Sequence, residues 1–344
     1  MNKFLFGNDD AASQRDDNVR ETVFVKYADD NGDGVIHAKE SIVGCEEIHS
    51  NALLTWTCTT LSVLYYHIEN NALSFIPNDS NNITITLNAE IKSVNIINTI
   101  QLILVFTSNQ SCLYIYNYTL LCVHSIPLPL DNDNIISSIP IYNILTNTYN
   151  VYYNTFNSNY LTRLYINNTL SNIIKYKQYL HCSLPYTITV ICAVTINNST
   201  NNKVLVCSGS TNDTIKLWDF ENKTHFYLKH EHCCPKVLMG FKERYLISLG
   251  NDAVIRVWCL KELKLIKMLI HTVCIWNVSC FGKKYVIAST MDGEVVLWDE
   301  EFKEVVNENG KYADSKVNFV YSWSREKRVI GYVEAVKKYI IIYI

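Results

Sequence analysis

Three groups of residues in this chain have types and spacings that could do chemistry. Residues 29–40, DDNGDGVIHAKE, carry the spacing of a calcium-binding loop. Asp29, Asn31 and Asp33 offer hard oxygen ligands, Gly34 the sharp turn, Val35 a backbone carbonyl, and Glu40 a bidentate carboxylate. Residues 230–234, HEHCC, set two histidines beside two cysteines. A zinc ion is normally surrounded by ligands from two separated pairs, and the adjacent Cys233 and Cys234 would point to opposite sides of a strand. That cluster therefore reads as the entry to a strand. In the third group Trp218, Trp258 and Trp298 recur at intervals of 40, with Asn212, Asp252 and Asp292 each six positions earlier. A buried indole N–H needs an acceptor, so tryptophan and polar side chains at fixed spacing point to a repeated hydrogen-bond network. Phosphate-binding glycine loops, nucleophile elbows and H-E-x-x-H helices are missing from the sequence, and no residue is nominated as catalytic.

The elements that must position the third group are short strands. SGSTNDTIKLWD, ISLGNDAVIRVWCL and ASTMDGEVVLWDE are three copies of one strand–turn–strand pattern. A repeat of this period built only of strand-like runs is the signature of a propeller blade. Over residues 203–300 the chain resembles the WD40 family. The resemblance implies an all-β fold, a seven-bladed WD40-type β-propeller whose ring is closed by an N-terminal strand. It also implies a buried network of a turn Asp, a loop His, a strand Ser or Thr, and the Trp. On the sixth blade those roles fall to His271, Thr290, Asp292 and Trp298, although Ile270 stands where the family has a glycine. On the fifth they fall to Asp252 and Trp258, with Ser248 nearby and His232 as a rough fit; on the fourth, to Trp218 with Asn212 replacing the Asp.

In chain order, residues 1–22 form a polar segment, and residues 23–344 are read as one propeller. VFVKYA (23–28) alternates and reads as a strand. A first blade follows, with His37 on its inner strand and Tyr66 near the tryptophan place. The blades within 79–183 are divergent, with Tyr116 and Tyr165 assigned to that place; those within 184–310 are clear. The last blade runs out after its third strand, so VFVKYA is expected to supply the fourth, with KFLF (3–6) as the substitute; closure hides edges that would otherwise invite aggregation. The same reading bears on residues 29–40. An EF-hand needs flanking helices, whereas VFVKYA is β-branched and alternating, so an inter-blade loop is the preferred reading and calcium binding the alternative.

Composition sets the outer bounds. At 344 residues the chain nearly matches seven blades of about 43 residues each. Apolar residues at 48% and charged ones at 18% support a large core. A net charge of −3 argues against affinity based on phosphate neutralisation, so no direct nucleic-acid partner is expected. No secretory leader or membrane-length apolar run is visible, so the 12 cysteines are read as reduced thiols and the expected location is cytoplasmic or nuclear. The expected function is a non-enzymatic scaffold: a WD40 subunit of a multiprotein complex that engages proteins or peptides on the propeller rim, without a cofactor and without a membrane. Two alternatives remain open. One is a calcium-responsive binding protein using residues 29–40. The other is a substrate receptor of a ubiquitin-ligase complex, suggested by the compact links GFKERYLI and CFGKKYVI.

Overall fold

The computed structural model describes residues 24–27, 43–49, 52–69, 72–75, 82–97, 101–108, 112–128, 135–143, 148–156, 158–166, 173–181, 183, 185–197, 202–231, 233–281, 284–292, 294–305, 317–323, 328–333 and 338–343. Among them every regular element is a strand. In chain order these are β1 (Phe24–Tyr27), β2 (Gly44–His49), β3 (Ala52–Trp56), β4 (Thr60–Glu69), β5 (Ala72–Phe75), β6 (Ile83–Thr86), β7 (Ile91–Ile97), β8 (Leu102–Thr107), β9 (Cys112–Asn117) and β10 (Cys122–Pro127). There follow β11 (Ile135–Asn143), β12 (Thr148–Thr155), β13 (Tyr160–Ile166), β14 (Ile173–Leu180), β15 (Ile188–Asn197), β16 (Asn202–Ser210), β17 (Thr214–Asp219), β18 (Thr224–Lys229), β19 (Pro235–Phe241) and β20 (Tyr245–Gly250). The last are β21 (Ile255–Cys259), β22 (Lys264–Leu269), β23 (Ile275–Phe281), β24 (Tyr285–Thr290), β25 (Val295–Trp298), β26 (Glu304–Val305), β27 (Val317–Trp323), β28 (Arg328–Val333) and β29 (Lys338–Tyr343).

The strands assemble as a β-propeller. Six sheets are regular four-stranded antiparallel blades: β7–β10, β11–β14, β15–β18, β19–β22, β23–β26, and β27–β29 with β1. In the last of these β1 pairs antiparallel with β29, Phe24 opposite Tyr343 and Tyr27 opposite Ile340, so the N-terminal strand lies where VFVKYA was expected to lie. The inner strands β2, β27, β23, β19, β15, β11 and β7 pack in that order around the ring.

The expectation of seven blades needs correction: among the described residues six sheets are four-stranded blades, and the N-terminal sheet departs from that pattern. The N-terminal sheet has five strands, because β4 is ten residues long and its two halves take different partners. Thr60–Val63 pairs with β6, whereas Tyr66–Glu69 runs on into a hairpin with β5. Alternation continues through LSVLYYHIE, so nothing stops the strand at the blade edge. Tyr66 is consequently opposite Phe75 in that hairpin, not in the tryptophan place.

Packing between blades follows one rule. Trp218, Trp258 and Trp298 each face the preceding blade: Trp218 lies with Tyr152 and Leu161, Trp258 with Cys192 and Val194, and Trp298 with Ile247 and Leu249. Tyr116 obeys the rule, packing on Ala52 and Leu54 of the first sheet. Tyr165 does not. Leu164 occupies the place instead, opposite Val151 and packed on Leu104 and Phe106. A one-residue slip reverses the face of a strand side chain, so Tyr165 looks toward the following blade.

Candidate functional site

Two features of the structure bear on the site: the buried networks within the blades, and the surface at the end of the ring above them. In the fourth blade Trp218 Nε1–H donates to Ser208 Oγ at 2.8 Å, and Ser208 Oγ lies 2.6 Å from His181 Nδ1. His181 Nε2 is 3.3 Å from Thr214 Oγ1, whose hydroxyl donates to Asn212 Oδ1 at 2.5 Å. Each group has one role, so the chain runs Trp218 to Ser208 to His181 to Thr214 to Asn212, entirely between neutral partners. Burial, reinforced by the nearby Lys216 ammonium, pushes the His181 imidazole down to about 3. Lys216 itself donates to the Leu180 carbonyl at 2.8 Å and lies over the Trp218 ring.

The fifth blade repeats the device with the ring of histidine turned round. Trp258 Nε1–H donates to Ser248 Oγ at 2.8 Å, and Ser248 Oγ lies 3.0 Å from His230 Nε2. His230 Nδ1 lies 2.7 Å from the Cys233 carbonyl, which can only accept, so Nδ1 carries the proton and Ser248 donates to Nε2. Burial and then the charge of Arg256 hold His230 below its ordinary pKa. Asp252 does not join this chain; it receives Arg256 Nη2 at 2.5 Å and Nη1 at 3.1 Å. Burial alone would raise the Asp252 carboxyl pKa, but those bonds prevail and lower it. Space here is tight: a Cβ on Gly250 would lie 2.9 Å from His230 Cε1.

Two site assignments change as a result. The histidine of the fifth blade is His230, whereas His232 lies outside the described residues. The sixth blade, which fitted best on paper, lacks the linking hydroxyl. Ala288 stands ten positions before Trp298, where the other two blades have Ser208 and Ser248. Thr290 is two residues further on and serves the turn, donating to Asp292 Oδ1 at 2.5 Å and accepting from Glu294 N–H at 2.9 Å. His271 accepts from Val273 N–H at 3.3 Å, and its Nε2 is 3.8 Å from Glu294 Oε2. His181 was missed altogether. The long excursion between β15 and β16 sets it 37 positions before its tryptophan, against 28 for His230.

The other candidate sites are placed as follows. Asp29, Asn31, Asp33, Val35 and Glu40 lie outside the described residues, and the segment leading into them is strand β1 rather than a helix. Of the HEHCC cluster, His230 and Cys233 are built into the fifth-blade network, and among the described residues no group of three His, Cys, Asp or Glu could hold a metal ion. No helix of the described residues is long and apolar enough to cross a membrane.

The networks underlie one end of the ring, where the links between blades meet the turns after each second strand. Thr211 N–H donates to the Thr187 carbonyl at 2.9 Å, Met291 N–H to Cys274 at 3.0 Å, and Ser108 N–H to Glu90 at 2.8 Å. Just inside these links the inner strands carry a register shift, at Lys92, Ile136, Thr189, Lys236 and Trp276. Such bulges re-aim a side chain away from the regular sheet faces. The same end exposes a run of large apolar side chains at the third and fourth blades. Phe156 is 58% exposed, Leu180 50%, Tyr186 44% and Tyr160 40%. Tyr160 is directly opposite Leu180, and the bond from His181 N–H to the Asn159 carbonyl at 2.9 Å ties the turn to the link that follows.

Comparison with known proteins agrees with this geometry. No family model matches the chain. A stretch of 105 residues is 33% identical to the F-box/WD repeat-containing protein sel-10 of Caenorhabditis elegans, covering 29% of this chain and 18% of that protein. The chain is a β-propeller, and over the matched stretch it is similar to a WD-repeat protein. It spans less than a fifth of the length of that relative, so the likeness concerns the repeat and identifies no subfamily.

Proposed function

We propose that this β-propeller is a non-enzymatic interaction scaffold, a WD-repeat subunit of a multiprotein assembly in the cytoplasm or nucleus. The observation that carries the reading is the exposed apolar group Phe156, Tyr160, Leu180 and Tyr186, displayed on a rigid end of the ring. Scattered apolar residues on a surface are ordinary, but here Tyr160 stands directly opposite Leu180, and exposed apolar side chains gathered at one end of the ring favour a protein-binding surface. The buried networks beneath it hold the blades in one arrangement, so little ordering cost remains to be met on binding. The test is affinity purification of tagged wild type and of a Tyr160→Asp, Leu180→Asp double variant. Leu121→Asp, in the exposed turn at the opposite end, serves as the control. The double variant should lose the subunits that the control retains; identical subunits from all three would remove this end of the propeller from consideration.

A second reading, a substrate receptor of a ubiquitin-ligase assembly, is favoured by the likeness to an F-box/WD repeat-containing protein. The same purification separates the two readings, since a receptor recovers ligase subunits and a scaffold of another kind does not. Repeating it in calcium and in chelator, with Glu40→Gln alongside, tests the calcium-responsive version.

A further inference from the structure

The outer strand of the fourth blade is unlike the outer strands of its neighbours. β18 pairs with β17 over six consecutive residues without a shift, Thr224 opposite Asp219 through Lys229 opposite Thr214. β10 is interrupted by a register shift and ends in Pro127, and the ladders of β14 and β22 are also shifted. β26 has two residues, and β1 and β6 have four each. Bulges, prolines and shortness are the usual devices that keep an open edge from pairing with another chain. Among the described residues β18 is the longest outer strand without any of them.

The phase of the ladder shows which peptide groups are open. His230 N–H donates to the Asp213 carbonyl at 2.7 Å, one step beyond the Lys229–Thr214 pair. Because hydrogen-bonded and open residues alternate on an antiparallel strand, Leu228, Phe226 and Thr224 turn their backbone groups toward β17. His225, Tyr227 and Lys229 turn theirs outward. Phe226 and Tyr227 are exposed on either side of that row, and only Leu228 is buried.

Charge selects the occupant. Lys223 and Lys229 stand exposed at the two ends of the strand, and its sequence THFYLK contains no carboxylate. Asp219 at its base is taken by Lys203 at 2.5 Å and by Asn222 at 2.8 Å, and Glu221 sits back in the turn. A second copy of this chain, paired antiparallel across a two-fold axis, would bring Lys229 of one edge beside the Lys223 end of the other. Like charges directly opposed are destabilising. We infer that β18 is a docking edge for an extended acidic segment of a partner protein, which adds to the fourth blade as a fifth strand. Main-chain bonds to His225, Tyr227 and Lys229 give affinity, and the flanking lysines give the preference for acid. This surface is on the circumference, away from the exposed end described above, and it does not depend on that end being an interface.

The experiment uses the full chain and two labelled peptides, one alternating aspartate with valine and the other lysine with valine, followed by fluorescence anisotropy. The acidic peptide should bind and the basic one should not, and binding should protect the amides of residues 225, 227 and 229 from hydrogen exchange. Tyr227→Pro removes only an outward N–H, so the β17–β18 ladder survives; it should weaken binding about tenfold or more, whereas Tyr227→Ala, which keeps the N–H, should weaken it less. Equal thermal midpoints for the two variants would show that both are folded. Binding of neither peptide, equal binding of both, or indifference to Tyr227→Pro would overturn the proposal. Protection of the same amides in the chain alone, with dimer formation, would give the edge to a second copy and overturn the acidic partner.

Discussion

The fourth and fifth blades and the second and third blades solve one packing problem with different chemistry. Each must fill the gap to the preceding blade with a large side chain on its third strand. The fourth and fifth use Trp218 and Trp258, whose indole N–H groups then oblige a serine and a histidine to follow. The second uses Tyr116, and the third uses Leu164, which has no polar atom to satisfy. Where Ser208 and Ser248 stand, the second blade has Val105, fully buried. Polar blades gain a uniquely determined arrangement, because a half-satisfied network costs more than an apolar filling. Apolar blades gain tolerance, since any side chain of about the right volume serves.

The largest effects should come from breaking each solution in its own way. Ser248→Ala leaves the Trp258 N–H and the His230 Nε2 without their shared partner in a site closed to water. A loss of about 2–4 kcal/mol is expected by denaturant unfolding. Leu164→Ala should cost a similar amount, about 2–5 kcal/mol, but through lost contacts and a cavity. The two are told apart by a second substitution. Trp258→Phe removes the indole N–H, so adding Ser248→Ala to it should cost clearly less than Ser248→Ala does in wild type. If the two losses simply add, the serine is not acting through the tryptophan.

pH should separate the regions as well. His181 is held down to about 3 by burial and Lys216, and His230 is lowered by burial and Arg256. As pH falls from about 6.5 toward 3 the unfolded chain takes up a proton that folded His181 refuses, so stability declines by about 1.4 kcal/mol per pH unit, and His230 acts in the same direction. His181→Gln should flatten that acid limb. Glu46, on the inner strand of the first sheet, works the other way, because burial raises its carboxyl to about 7. The folded chain keeps a proton there that the unfolded chain releases, so this contribution is lost as pH rises through 7. Glu46→Gln should therefore stabilise the protein at pH 8 and change little at pH 4. A wild-type acid limb that His181→Gln leaves unaltered would remove the histidine from the account.

This division also explains what was legible in the sequence. Trp218, Trp258 and Trp298 with Asn212, Asp252 and Asp292 could be recognised because a hydrogen-bond network fixes residue type and spacing together. Apolar packing fixes neither, and so between residues 79 and 183 the choice of Tyr165 over Leu164 had only aromatic character to guide it. Within the polar blades the errors fell where loop length intervenes: the excursion before β16 hid His181, and HEHCC offered His232 as readily as His230. Alternation in LSVLYYHIE marks β4 as a strand, but alternation alone does not distinguish its second partner, β5, from a further blade strand.

The smallest effect is the sharpest test of the comparison, because the sixth blade lies between the two solutions. It has the tryptophan and the histidine but has Ala288 where the hydroxyl belongs. Ala288→Ser adds one atom, and on the geometry of the fifth blade the new hydroxyl would accept from the Trp298 indole. It also brings a proton that must find an acceptor, and His271 is the group available. If His271 turns to it, stability should rise by about 1 kcal/mol. Glu294 competes for the same ring from 3.8 Å, so the gain should be greater with Glu294→Gln in place. A loss of stability in both backgrounds would mean that His271 cannot reach the third strand. The sixth blade would then belong with the apolar blades despite its tryptophan.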